Sequence, residues 1–153
     1  MTLGGDPNRL RDLARDLRRE ADLVDAERIR VMASDGLSWQ GPAGERYRDR
    51  LAEHGLGLHR TRDALAEAAT EMGRHADILE ERQRLIRIAQ ERVENAIQDA
   101  RSTLGRYVGL AWDALTDREF GIVKTAQSFL GGIGDLPVPG APEWQDVARR
   151  LGL

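Results

Sequence analysis

The sequence predicts an all-α protein, and three observations carry that reading. Apolar residues recur at three- and four-residue steps over most of the chain. Aromatics make up 5% and charged residues 32%, with Leu and Ala dominating the apolar set, a profile that suits elongated helices with narrow apolar stripes. No alternating run rich in Val, Ile, Thr, Tyr and Phe marks a strand. At 153 residues the chain has a normal size for one domain with a modest core.

The first helix is expected at roughly residues 7 to 34. Asp6 can cap its exposed amides, and Pro7 stands where a missing N–H does no harm. Leu10, Leu13, Leu17, Val24 and Val31 form one stripe, flanked by Ala14 and Ala21, while the other face is almost solid Arg, Asp and Glu. Ser34 to Pro42 then holds two glycines, a proline and two serines, which reads as a turn. A second helix restarts at Pro42 or Ala43.

That second helix carries the cleanest periodicity in the chain. Tyr47, Leu51, His54, Leu58, Thr61, Leu65, Ala68, Met72, His75 and Leu79 step by four and three in alternation. Sustained 3.5-residue spacing predicts a coiled-coil-like seam, and the phase continues loosely through Ile86, Val93, Ile97, Ala100 and Leu104. No proline interrupts the chain between Pro42 and Pro137. One helix from residue 43 to about 104 would span roughly 90 Å against roughly 40 Å for the first. The excess must pack on a third helix folding back or on another chain, with a bend or break expected near Gly73 or near Leu79–Gln83.

Thr116-Asp117-Arg118-Glu119 is a capping box ahead of Phe120, Val123, Ala126 and Leu130, so a further helix is expected there. The run from Gly131 to Pro142 is rich in Gly and Pro and reads as a linker, followed by one short amphipathic turn using Trp144, Val147 and Leu151. The chain thus divides into a hairpin with an extended second helix at 1–104, an additional helical segment at 105–130, and a linker with a short C-terminal tail at 131–153.

Composition removes several function classes. The net charge is −3 with acids and bases interleaved, so no basic stripe invites nucleic acid. There are no cysteines, hence no thiol catalysis, disulfide or cysteine zinc site. Met1 to Asp6 lacks the basic and apolar regions of a Sec-type signal peptide, and no apolar run is long enough for a stable membrane span. Residues 107 to 133 hold the highest local apolarity and form the runner-up for membrane insertion. His54 and His75 lie on one stripe roughly 30 Å apart along a helix, too far to share an ion. No serine sits in a nucleophile elbow, and no Gly-rich loop follows a strand to cradle phosphate. The carboxylates occupy helix faces where arginines answer them, as Arg84 can Glu80. The expectation is a non-enzymatic protein without cofactor or metal.

An amphipathic helix, then Trp39-Gln40-Gly41 in a tight turn, then a heptad helix resembles the WXG100, or ESAT-6-like, superfamily over about residues 7 to 80. An indole at the turn can plug the end of a bundle, and glycine lets the chain reverse close to a helix start. The resemblance implies an antiparallel helical hairpin with a WXG turn at Trp39 and Gly41. It also implies homo- or heterodimerisation with another helical hairpin into a four-helix bundle, and recognition by a type VII secretion ATPase. The partner-binding seam would be Tyr47, Leu51, His54, Leu58, Leu65, Met72 and Leu79. The chain would then be a type VII secretion substrate or targeting module, secreted or placed in the cell envelope. Arginine in nearly every basic position, with Lys124 the only lysine, reads as the codon bias of a GC-rich genome and points toward actinobacteria.

Two departures open alternatives. The chain is about half as long again as a minimal family member. The family's export signal, Tyr-x-x-x-Asp/Glu, is also absent, since Leu51 follows Tyr47 and Ala111 follows Tyr107 at that spacing; His59 with Asp63 gives only a loosened version, mid-helix. The alternatives are a cytoplasmic adaptor or chaperone for a neighbouring secreted effector, and the N-terminal targeting region of a larger toxin.

Overall fold

A computed structural model describes residues 5–34, 40–110 and 114–153. These residues are all-α, with four helices: α1 (Pro7–Ala33), α2 (Pro42–Tyr107), α3 (Asp117–Gly132) and α4 (Trp144–Arg150). No strand occurs among the described residues.

Local chemistry sets the helix starts. Asp6 has an extended backbone and its carboxylate accepts from Asn8 N–H at 2.9 Å, with Pro7 in the first turn. Gly41 holds φ at +96°, a conformation that an L side chain would strain, and its carbonyl accepts from Glu45 N–H at 3.2 Å to open α2. Trp39, its predicted companion in the turn, lies outside the described residues. The capping box at α3 is complete. Thr116 N–H donates to the Glu119 carboxylate at 2.9 Å, and Glu119 N–H donates to the Thr116 hydroxyl at 3.3 Å. Thr116→Ala is expected to destabilise by about 1 kcal/mol, read as a lower denaturant midpoint, because it strips the cap from an orphan helical amide. The Thr116 amide bond, and then its hydroxyl, hold the Glu119 carboxyl below the ordinary glutamate range. This contribution is therefore present above the unfolded pKa and is lost as pH falls through the lowered folded value.

Tertiary contacts divide the chain into a unit of Asp6–Leu79 and a unit of Glu80–Leu153, to which Gly5 also belongs. This differs from the division at 104 and 130 expected from sequence. In the first unit, α1 lies against the first part of α2. Arg11 pairs with Asp77 at 3.0 Å. Asp25 and Arg62 face one groove, and the Met32 sulfur approaches Gly55 so closely that a Cβ there would lie 2.7 Å from it. Levels along α2 therefore fall as levels along α1 rise. On that register Pro7 stands near residue 80, so α1 runs out where the first unit ends. The excess of α2 beyond that point packs on the chain's own C-terminal part. The break expected near Gly73 or Leu79–Gln83 is absent: α2 is helical from Pro42 to Tyr107, with no proline within it after the first residue and no crowding at Gly73 to distort it.

The second unit has a true core. Ile86, Ala89, Val93 and Ile97 of α2 pack with Ile133, Ala141, Trp144, Val147 and Ala148. Trp144 is only 2% exposed, and its indole N–H donates to Val138 O at 2.9 Å. Gln90 Oε1 accepts from Gly140 N–H at 3.0 Å, and the Arg150 guanidinium donates to Ile133 O at 2.9 Å. The Gly/Pro stretch that composition reads as a linker is thus packed structure in this unit, folded so that Ile133 and Ala141 within it and Trp144 just after it enter one core.

Candidate functional face of the first unit

Among the described residues, the first unit buries no large side chain. The buried apolar side chains described there are Ala14 and Ala21 on α1 and Ala69 and Ala76 on α2, the last two at 0% exposure. On α2 these alanines continue a row through Gly55 and Arg62, spaced by seven. Small residues on both helices let two backbones approach closely, and this row is where α2 meets α1. The leucine row expected from sequence lies one row away, because large side chains advertise an apolar stripe and alanine does not. The available signal was the sevenfold spacing of Gly55, Ala69 and Ala76, matched by Ala14 and Ala21.

The predicted seam residues fall into two sets. Leu51, Leu58, Leu65, Met72 and Leu79 are half-buried, and so are Leu10, Leu17, Val24 and Val31 on α1. Tyr47, His54 and His75 are exposed, as is Thr61. The structure therefore does not bring Tyr47 or the histidines into the contact with α1. They lie on the row beyond the leucines, turned further from α1.

The polar side of the same unit carries a groove lined by Asp25, Arg28, Met32, Gly55, His59 and Arg62, among others. Asp25 is held below the ordinary aspartate range chiefly by the hydrogen bond from Arg28 Nε at 2.8 Å, with positive charge from Arg28, Arg62 and His59 adding to it. Asp63 is likewise lowered, first by the hydrogen bond from Arg62 at 2.6 Å. His59 Nε2 lies 3.3 Å from Asp63, so the loosened signal pair of the sequence is a surface i,i+4 pair on α2. Ion pairs of this kind recur along the helices: Arg84 gives both Nε and Nη2 to Glu81 at 2.7 Å, one residue from the Glu80 expected from sequence.

No group of three or more His, Cys, Asp or Glu residues that could hold a metal ion occurs among the described residues. No described helix is long and apolar enough to cross a membrane. Compared with family models, with curated proteins and with solved structures, the chain matches none of them.

Proposed function

We propose that the first unit is an antiparallel helical hairpin of the WXG100 type, turning at Trp39 and Gly41, and that it works by docking one apolar face against a second hairpin. The observation that supports this reading is the placement of the large apolar rows. On α1 the row Leu10, Leu17, Val24 and Val31 lies roughly 50° around the helix from the alanine row. On α2 the row Leu51, Leu58, Leu65, Met72 and Leu79 lies the same angle, in the same rotational sense, from Gly55, Ala69 and Ala76. In helices running in opposite directions, equal offsets of the same sense bring both rows to one face of the pair. Nine half-buried aliphatic or thioether side chains then share a single surface, while the reverse side carries Arg11, Arg18, Asp25 and His59.

Two helices can bury the strip between them and no more, so such a face calls for a further layer. Tyr47, His54 and His75, turned outward from the leucine row, become the rim that a second hairpin meets. Gly41, with its positive φ at the start of α2, suits the reversal that the Trp39-Gln40-Gly41 motif makes in that family. The pairing is homo- or heterodimeric, the chain is a type VII secretion substrate or targeting module recognised by the secretion ATPase, and it carries no catalytic activity. The absence of a Tyr-x-x-x-Asp/Glu motif favours a second reading, an adaptor that stays in the cytoplasm with its partner.

Native mass spectrometry of tagged protein purified from its own host tests the pairing. The expected mass is that of the chain with one further hairpin, its own copy or another protein. A bare monomer at every concentration would reject the reading.

A further inference from the structure

The second unit presents a groove that its own core does not fill. It runs between α2 and α3, with Ala96, Ala100 and Thr103 on one wall and Gly121, Ile122 and Phe129 on the other. Its space is about 660 Å³, and Ile122 stands 42% exposed on its lip. The tail from Ile133 to Leu151 covers α2 through Ile86, Val93 and Ile97 and leaves this stretch open. Two packed helices with an apolar channel between them have the shape that receives a third.

Charge is distributed unevenly along the channel. Arg118 lines the groove at the start of α3. Arg106 reaches the same end, its guanidinium donating to the Thr103 hydroxyl at 3.4 Å. Neither arginine has an acidic side-chain partner among the described residues. The one acid lining the groove, Asp99, lies about two helical turns before Arg106 on α2.

We infer that this groove docks an amphipathic helix of a partner protein, running in the direction of α2, with acidic residues in its last turn and a cation about two turns earlier. The partner's carboxylates and its terminal carbonyls, which carry the negative end of the helix dipole, meet Arg106 and Arg118. The earlier cation meets Asp99. The apolar stripe of the partner fills the space between Ala100 and Gly121, where no side chain stands. The opposite helix direction would set the carbonyl end against Asp99 and leave both arginines facing amides.

This site is independent of the hairpin face of the first unit, so either can fail without the other. The probe is a synthetic helical peptide of about 18 residues, long enough to hold a helix, with one apolar face, Glu in the last turn and Lys about two turns before. A control peptide exchanges Glu and Lys. Binding to the full chain is followed by fluorescence anisotropy. The acid-ended peptide is expected to bind at least about tenfold more tightly than the exchanged one. Arg118→Glu should narrow or reverse that preference. Gly121→Leu places a side chain in the groove where a Cβ meets nothing within 4 Å, and should abolish binding with the melting temperature unchanged. Equal affinity of the two peptides, undiminished binding to the folded Gly121→Leu variant, or no binding at about 1 mM peptide would each overturn the assignment.

Discussion

The double variant Leu58→Arg/Leu65→Arg is expected to keep its helical content and lose its oligomer, its mass in solution falling to that of one chain. Both leucines are half-buried in the isolated chain, so arginine there can lift its charge into water at small cost to the first unit itself. In a paired face the same positions are central and dry. Fully burying a leucine stabilises by ~1.5–3 kcal/mol, and placing two unpaired guanidinium groups in that layer reverses the sign. Sedimentation equilibrium with circular dichroism separates the outcomes. Unchanged mass would remove the leucine row from any interface. Lost helicity would instead place these side chains in the fold of the unit.

Trp144→Ala is expected to cost about 3–5 kcal/mol, the range for truncating a large aromatic in a core. That is a large fraction of the ~5–15 kcal/mol that holds a typical domain together. The indole is 2% exposed in the core that holds Ile86, Val93, Ile97 and Ile133, and its N–H closes the 138–144 turn through Val138 O. Its loss opens a cavity and removes the anchor of the C-terminal segment in one step. Chemical denaturation of the full chain reads the effect as a separated early transition. A cost below about 1 kcal/mol would return residues 131 to 153 to the spacer that their composition suggests.

What sequence made legible was local chemistry. Asp6 and Thr116 with Glu119 satisfy helix amides from within a few residues, Pro7 and Pro42 stand where a missing N–H leaves nothing orphaned, and each marks a helix start in the structure. The absence of proline allows a long α2, but its continuity through Gly73 and Leu79–Gln83, where a bend or break is expected from sequence, is visible only in the structure. Contacts between helices were less legible. The row of α2 that meets α1 is built from Gly55, Ala69 and Ala76, residues too small to stand out beside Leu58 and Met72. The core of the second unit was hidden for another reason. Ile133 and Ala141 reach it from irregular backbone, where burial follows no period, so a Gly/Pro-rich run concealed a packed segment, whereas Trp144 and Val147 lie on the short amphipathic turn that the sequence predicts. The excess length of α2 calls for cover on sequence grounds alone; that the chain's own residues 133–148 supply it is visible only in the fold.

Export of tagged protein from the native host tests the central proposal most directly, comparing the parent strain with one lacking the type VII ATPase. The account predicts secretion in the first and retention in the second, with Trp39→Ala and Gly41→Ala also retained. Retention in both strains, while control substrates are exported normally, would contradict it and leave the chain as a cytoplasmic adaptor.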